Sequence, residues 1–249
     1  MASYDTWDPR AYLRQYYATI GSDEQANARF ARDMLGGWER RFATALEFGC
    51  GPTVHHAAML APYVDSLHVA DYLDANLVEV QRWLREDPTA HDWDRYFAEM
   101  LAEEGAPHVE AAVAVRVART REVIKATIRG DIRRAAPLGS TATYDLVASY
   151  YCVEAVAGDL ATWARHLGNL TRLVAPGGAL LLGAMRRCAG YRVFERTYPA
   201  VPVDEADFAA TLLELGFASE HTAIRVVPAT DLIEEGFDSI CCVFARRGG

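Results

Sequence analysis

Two glycines and one acidic residue, at a defined spacing, are the residues of this sequence best suited to bind a small ligand. The segment LEFGCGPT is an apolar run that ends in Gly49 and Gly51. Glycines at these positions allow a tight turn and let a ligand lie close against the backbone. Asp71 ends the next apolar run, SLHVADY, twenty positions after Gly51. A carboxylate there can accept hydrogen bonds from the hydroxyls of a ribose.

The same turn disfavours two common nucleotide sites. The third glycine of the dinucleotide fingerprint GxGxxG is missing, and Pro52 follows the second glycine. No GKS or GKT sequence is present to hold a triphosphate. A glycine turn with a ribose acid and no phosphate-binding element suits an adenosine ligand without a pyrophosphate, and S-adenosylmethionine is such a ligand. A nicotinamide-dinucleotide oxidoreductase is the alternative, and the Pro52 turn argues against it.

Alternating strands and helices must position these residues. We predict strands over TALEFG, SLHVADY, VIKATIRGDI, TYDLVASYY, ALLLGAM, TAIRVVP and DSICCVFAR. We predict helices over residues 22–36, 53–60, 75–86, 155–173 and 205–215, with two more in 87–125. The segment Ala175-Pro-Gly-Gly178 is expected to end the helix before it. This alternation is typical of parallel β-α units and predicts an α/β protein with a doubly wound sheet.

Two helix starts are predicted from capping residues. Asp8 precedes Pro9, which suits an N-cap followed by proline at the first helical position. Ser22 to Gln25 fits a capping box for the second helix.

Composition limits the class of protein and its compartment. The chain has 249 residues, 51 % of them hydrophobic, which is enough for one large domain. A net charge of −9 disfavours nucleic acid as a partner. Five scattered cysteines without a CxxC pair indicate free thiols and no zinc site. No signal peptide or membrane span is predicted, so we expect a cytoplasmic protein with no membrane or metal partner.

Four segments carry a family resemblance: LEFGCGPTVHH, VADYLDANLVEVQRWLREDPTAHDW, ASYYCVEAVAGDL and LVAPGGALLLGAM. With the opening DPRAYLRQYY, they resemble the small-molecule amine N-methyltransferases that include the nicotinamide, phenylethanolamine and indolethylamine (thioether) enzymes. The resemblance spans residues 7 to 217, and the tail after Phe217 matches poorly. It implies a class I, Rossmann-like methyltransferase: one domain over 1–249, with a helical lid (1–40), a core (42–249) and a helical insertion (87–125).

The resemblance also implies a set of cofactor-binding residues. Tyr12 and Tyr17 would cover S-adenosylmethionine from the lid, and Tyr17 would exclude water from the reacting sulfonium. Asp71 would bind the ribose hydroxyls, and Asp131 would receive the adenine amino group. The remaining positions implied to contact the cofactor are Gly49, Gly51, Thr53, Tyr72, Asn76, Ile132, Ser149 and Tyr150.

The acceptor side departs from that family. Glu154 coincides with an acidic position that binds the amine in the phenylethanolamine branch, but the acid expected after the fifth strand is missing. Arg186 and Arg187 stand near that position, and guanidiniums there would attract a carboxylate or phosphate. The alternative is that both arginines face solvent. Tyr191 and Tyr198 are candidate aromatic walls.

His55 and His56 follow the glycine turn, where the family has an aromatic residue. We expect them at the helix surface or in a pocket wall.

The predicted reaction is methyl transfer from S-adenosylmethionine to an amine or heteroaromatic nitrogen of a small molecule, and an acceptor that bears an anionic group is one option. Such a displacement needs alignment and desolvation more than acid or base groups. Oxygen methylation is an alternative, and it would need a base such as His55, His56 or Glu154. A catalytically silent cofactor-binding protein is the third reading.

Overall fold

The computed structural model describes residues 7–38 and 41–248. The chain forms two compact units, one ending at Arg129 and the other beginning at Gly130. We call them the N-terminal unit and the C-terminal unit. The single domain expected from the sequence stays a prediction. Among the described residues, no helix is both long enough and apolar enough to cross a membrane.

The N-terminal unit contains three parallel strands and six α-helices among its described residues. In chain order these are α1 (Pro9–Tyr16), α2 (Ser22–Leu35), β1 (Phe42–Phe48), α3 (His55–Leu60), β2 (Val64–Asp71), α4 (Asp74–Leu84), α5 (Asp94–Glu103), α6 (Val109–Val123) and β3 (Ile124–Arg129). The strand order is β3-β2-β1, with β2 in the centre. The carboxyl ends of β1 and β2 therefore lie side by side, which brings the glycine turn next to Asp71.

The C-terminal unit contains a mixed sheet and a separate hairpin. Its elements are β4 (Tyr144–Tyr150), α7 (Leu160–Thr171), β5 (Val174–Met185), β6 (Gly190–Val193), β7 (Arg196–Pro199), α8 (Glu205–Glu214), β8 (Phe217–Pro228) and β9 (Ser239–Arg247). The strand order is β4-β5-β9-β8: β4 and β5 are parallel, while β9 runs antiparallel to both of its neighbours. The β6–β7 hairpin was not predicted.

The predicted helix starts have different outcomes. Asp8 caps α1 as predicted, because its carboxylate accepts hydrogen bonds from the backbone N–H groups of Arg10 and Ala11. The capping box predicted at Ser22 is wrong: Gly21 is the N-cap of α2, and no side chain caps this helix. Helix α7 begins later than predicted because Asp159 caps it by accepting from Thr162 N.

The predicted break at residues 175–178 is instead part of β5. The pairing register between β4 and β5 shifts there, so the segment forms an irregularity inside the strand. Gly177 has a φ of 73°, which disfavours any residue with a side chain. A Cβ on Gly178 would lie 2.9 Å from the carbonyl oxygen of Asp145 on the neighbouring strand. The two glycines thus allow a bulge rather than ending the element.

Candidate functional site

The turn after β1 has the geometry that its glycines were expected to allow. Gly49 and Gly51 have φ angles of 80° and 61°, in the region that side chains disfavour. The N–H groups of Gly49 and Cys50 donate to Ala70 O at 2.7 and 3.0 Å, which ties the end of β1 to the end of β2. A Cβ on Gly51 would meet no atom within 4 Å, so one side of the turn is open.

Asp71, the last residue of β2, is fixed against that turn. Its Oδ2 accepts from Gly51 N at 2.9 Å. Its Oδ1 accepts from Leu73 N at 2.8 Å and from Asn76 Nδ2 at 3.0 Å. Burial raises the pKa of Asp71, and these donors partly oppose the rise. The carboxylate is thus a buried acceptor whose orientation is set by three N–H donors.

Two other predicted ligand residues support this arrangement. Asn76 also accepts a hydrogen bond from the indole of Trp7, at 2.8 Å, so both ends of its amide have partners. The hydroxyl of Thr53 donates to Cys50 O at 2.7 Å and closes the turn. Contact of either side chain with a cofactor stays a prediction.

Tyr12, in the middle of α1, and Tyr17, directly after its last residue, lie together. Their hydroxyl oxygens are 3.3 Å apart, and the ring of Tyr17 packs 5.5 Å from that of Trp93, centroid to centroid. Burial raises the pKa of Tyr12 to about 12 and the pKa of Tyr17 well above its usual value. Both are therefore neutral phenols at physiological pH and are poor bases.

His55 and His56, at the start of α3, are buried with two glutamates. We call Glu24, Glu47, His55 and His56 the buried histidine–glutamate cluster. Glu24 Oε1 lies 3.1 Å from Nε2 of each histidine, and Glu24 Oε2 lies 3.0 Å from His56 Nε2. His56 Nδ1 lies 3.3 Å from Glu47 Oε1, close enough for an ion pair. The histidine side chains are 0 % and 6 % exposed, so their predicted place at the helix surface is wrong.

The cluster separates the pKa values of its two histidines. Burial and the neighbouring His56 charge lower the pKa of His55 to about 4. Burial also acts to lower the pKa of His56, but Glu24 and Glu47 raise it to about 9. Burial acts to raise the pKa of Glu24, yet His56 and His55 lower it overall. At neutral pH the cluster therefore holds a neutral His55 and a His56 imidazolium beside two glutamates.

Sequence reasoning missed the two glutamates of this cluster. Glu24 was assigned to a capping box, and Glu47 was taken only as part of the first strand. Their contacts with the histidines join residues far apart in the chain, which a local pattern does not reveal. The signal available in the sequence was Glu47, an acid inside the apolar run TALEFG.

The other residues predicted to contact adenine or methionine have mixed surroundings. In the N-terminal unit, Tyr72 is 42 % exposed, with the Arg129 guanidinium 5.5 Å from its ring centroid. In the C-terminal unit, Asp131 pairs with Arg133, whose Nε lies 2.7 Å from Oδ1. Three further predicted residues are buried there: Ile132, Ser149 and Tyr150.

Glu154, the predicted amine-binding acid, is buried after β4. Its Oε1 accepts from Met185 N at 3.0 Å, and the residue is 1 % exposed. Burial raises its pKa to about 7. Tyr151 and Arg187, just past the ends of β4 and β5, both have a φ of 51°. Such strain in residues with side chains is common near ligand sites.

Both arginines predicted to face an anion already have carboxylate partners. Arg186 binds Glu205 through Nε at 2.6 Å and through a terminal nitrogen at 2.9 Å. Arg187 binds Asp204 at 3.0 Å. Tyr191 and Tyr198 stack across the β6–β7 hairpin at 5.6 Å.

Comparison with known proteins places this geometry in a family. The model of the NNMT/PNMT/TEMT family matches residues 2–248. Phenylethanolamine N-methyltransferase of Macaca mulatta is 30 % identical over an alignment of 261 positions, gaps included. This alignment covers 98 % of this chain and 88 % of the relative. Nicotinamide N-methyltransferase of Homo sapiens is 27 % identical over an alignment of 227 positions, which covers 86 % of this chain and 83 % of the relative.

Solved structures with similar folds are more distant in sequence. An S-adenosylmethionine-dependent methyltransferase from Clostridium acetobutylicum has a TM-score of 0.59 at 12 % identity, covering 96 % of this chain and 97 % of its own. The N-methyltransferase NodS from Bradyrhizobium japonicum, solved with S-adenosyl-L-homocysteine, has a TM-score of 0.55 at 14 % identity, covering 97 % and 99 %. These matches confirm the predicted class I methyltransferase fold.

Removing Glu24, the central glutamate of the cluster, should lower the stability of the fold. Glu24→Ala leaves the His56 imidazolium with Glu47 alone, and breaking a buried ion pair typically lowers the free energy of unfolding by about 3 kcal/mol. Arg95→Ala is the matched control, because it breaks the exposed Arg95–Glu99 pair and should cost only about 0.5 kcal/mol. Urea denaturation measures both; equal losses would contradict the assigned charges.

Proposed function

The chain belongs to the NNMT/PNMT/TEMT family, and we propose that it transfers a methyl group from S-adenosylmethionine to nitrogen of a small molecule. The family match extends over the whole described chain, and relatives named for two different amine or pyridine acceptors cover most of it. The observation that carries the proposal is the Asp71 carboxylate fixed beside the open glycine turn.

The residues of the N-terminal unit fit this cofactor. The open face at Gly51 leaves room for a ligand against the backbone, and Asp71 lies at the strand end where such folds hold a ribose. Gly49, Gly51 and Asp71 would bind the nucleoside, with Tyr12 and Tyr17 beside them. For Asp131 and Ser149 of the C-terminal unit, a role in cofactor binding rests on the family resemblance alone. When bound, the cofactor supplies an electrophilic methyl group on a sulfonium.

The chain then has to bind, orient and desolvate the acceptor. A neutral amine or ring nitrogen brings its own lone pair, so no general base is needed for the displacement itself. The neutral phenols of Tyr12 and Tyr17 suit a lid that excludes water without competing as nucleophiles. The lid over residues 1–40 is part of this proposal.

Glu154 is the residue that supports an amine as the acceptor. A buried carboxyl with a pKa near 7 can take a proton from an alkylammonium acceptor and so favour the neutral amine. An anionic acceptor would have to compete with Glu205 and Asp204 for Arg186 and Arg187. We therefore favour an amine that need not carry an anionic group.

Free thiols at all five cysteines also support the proposed cytoplasmic compartment.

A panel of acceptors tests the reaction. The purified chain is incubated with S-adenosylmethionine and primary amines, heteroaromatic nitrogens, amino acids and phenols, and products are identified by mass spectrometry. We expect N-methylated product from an amine or ring nitrogen. Methylation of phenols alone would show an O-methyltransferase, and binding of S-adenosylhomocysteine with no product across the panel would indicate a catalytically silent protein.

Asp71→Ala should weaken cofactor binding. Charge-assisted hydrogen bonds contribute about 1.5–3 kcal/mol, which corresponds to roughly a tenfold to hundredfold loss of affinity for S-adenosylhomocysteine. Isothermal titration measures the loss, and circular dichroism checks that the variant is folded. Asp65→Ala is the control, since this exposed acid lies at the opposite end of β2, where it pairs with Arg41 at 3.6 Å and Arg119 at 3.9 Å, and this variant should bind normally. Unchanged affinity for Asp71→Ala would remove its assignment.

Glu154 should make stability depend on pH. Its pKa is about 7 in the fold against a usual 4.5, so the folded state retains a proton that the unfolded chain loses. Stability should therefore fall as pH rises from 4.5 to 7 and level off above. Glu154→Gln keeps an acceptor for Met185 N and removes this dependence. The free energy of unfolding of Glu154→Gln, measured by urea denaturation, should exceed that of the parent by a margin that grows through that window to about 3 kcal/mol. A margin that does not change with pH would contradict the raised pKa.

A further inference from the structure

The buried histidine–glutamate cluster contains three groups of the kind that bind metal ions. One ligand atom each from Glu24, His55 and His56 lie within 4.8 Å of one another, and all three residues are buried. We propose that these residues bind one divalent transition metal ion of the Zn²⁺ type. Two imidazoles and one carboxylate are a frequent donor set for Zn²⁺ and related ions, whereas Ca²⁺ and Mg²⁺ prefer oxygen ligands.

The distances within the cluster suit such an ion. Nε2 of each histidine lies 3.1 Å from Glu24 Oε1. Ligand atoms placed about 2.0–2.1 Å from a tetrahedral Zn²⁺ are separated by roughly 3.3 Å. The two glutamate–histidine separations therefore have to widen by only a few tenths of an ångström, and the ligand atoms of all three residues lie within 4.8 Å of one another. Both histidines would bind through Nε2, the atoms that now face the glutamate, and His56 would release its Nε2 proton to solvent when the ion binds.

Glu47 supplies the outer support that metal-bound histidines usually have. Its Oε1 lies 3.3 Å from His56 Nδ1, on the side of the ring away from Glu24. A ligating histidine commonly donates its second ring N–H to a carboxylate, which fixes the ring and makes it a better ligand. The pair His56–Glu47 has that composition, although its two atoms are not yet aligned for a hydrogen bond.

Unpartnered polar atoms around the cluster point to a missing group. Tyr96 is 1 % exposed, and its ring centroid lies 5.1 Å from that of His55. Its hydroxyl and Glu47 Oε2 are buried without a hydrogen-bond partner among the described residues. A water in the fourth metal position would donate to such oxygens, which otherwise carry the cost of desolvation.

The proposed metal would be structural. Glu24 is in the first turn of α2, and the histidines begin α3, four residues after Gly51. Trp93 stacks on His55 at 5.5 Å with an interplanar angle of 16°, and Tyr17 packs on it at 5.0 Å, which shields this place from water. An ion held there would join α2 to α3 and restrain the glycine turn. Metal binding thus acts on the fold and does not depend on the proposed reaction.

The test uses untagged full-length protein stripped with EDTA and dialysed against Zn²⁺. Elemental analysis should find one equivalent of zinc, and Zn²⁺ should raise the melting temperature. Co²⁺ serves as the spectroscopic probe and should give the visible absorption of a four-coordinate N/O site. Glu24→Gln and His56→Gln should weaken Zn²⁺ binding at least tenfold. His221→Gln, which removes an exposed imidazole of the C-terminal unit, should bind like the parent.

Two results would overturn the proposal. One is that the stripped parent takes up no zinc, or that His221→Gln loses the zinc that the parent binds. The other is that Glu24→Gln binds zinc as tightly as the parent, which would assign the metal to other residues. If His56→Gln does not fold, zinc content of Glu24→Gln and the Co²⁺ spectrum of the parent still decide the question. In either negative case the cluster is held together only by its own hydrogen bonds and ion pairs.

Discussion

The hydrogen bond from Gly51 N to the Asp71 carboxylate is the contact on which the ligand-binding end of the N-terminal unit depends. It joins the turn after β1 to the end of β2, and it requires the positive φ that glycine provides. The same carboxylate holds Asn76, which in turn accepts from Trp7. Through this chain of bonds, the segment leading into α1 is positioned by the residue proposed to bind the ribose.

The other side of the turn is held by charge. His56 lies between Glu24 and Glu47, so without a metal ion the buried imidazolium has a glutamate carboxyl group beside each of its nitrogens. Buried charges are tolerated only when they are paired in this way. The glycine turn is therefore placed between a hydrogen-bonded aspartate and a charged cluster, and both restrain it before any ligand arrives. A site prepared in this way loses less conformational entropy on binding.

Local patterns predicted much of this arrangement. The glycine spacing and the strand-helix alternation indicated where Asp71 would lie, because parallel strands bring their carboxyl ends to one edge. The family resemblance added the reaction and was confirmed by the family match. Residues 175–178 were interpreted as a segment that ends a helix, and the bulge that they form inside β5 was not predicted, because both features use proline and glycine.

Contacts between distant residues could not be predicted in the same way. Glu24 meets the histidines across thirty-one and thirty-two positions, and Arg186 meets Glu205 across nineteen. Neither pairing leaves a periodic signal, since any of the many acids in the chain could have been the partner. The sequence therefore indicated which residues could bind an anion or a proton, but not whether another side chain already occupied them.

The Asp71 carboxylate is the proposed acceptor for the ribose hydroxyls of the cofactor, and a thermodynamic cycle tests this directly. Isothermal titration compares S-adenosylhomocysteine with its analogue lacking both ribose hydroxyls, on the parent and on Asp71→Ala. The account predicts that removing the hydroxyls weakens binding to the parent at least tenfold and changes binding to Asp71→Ala very little. Equal losses in the two proteins would contradict it, because the hydroxyls would then bind elsewhere.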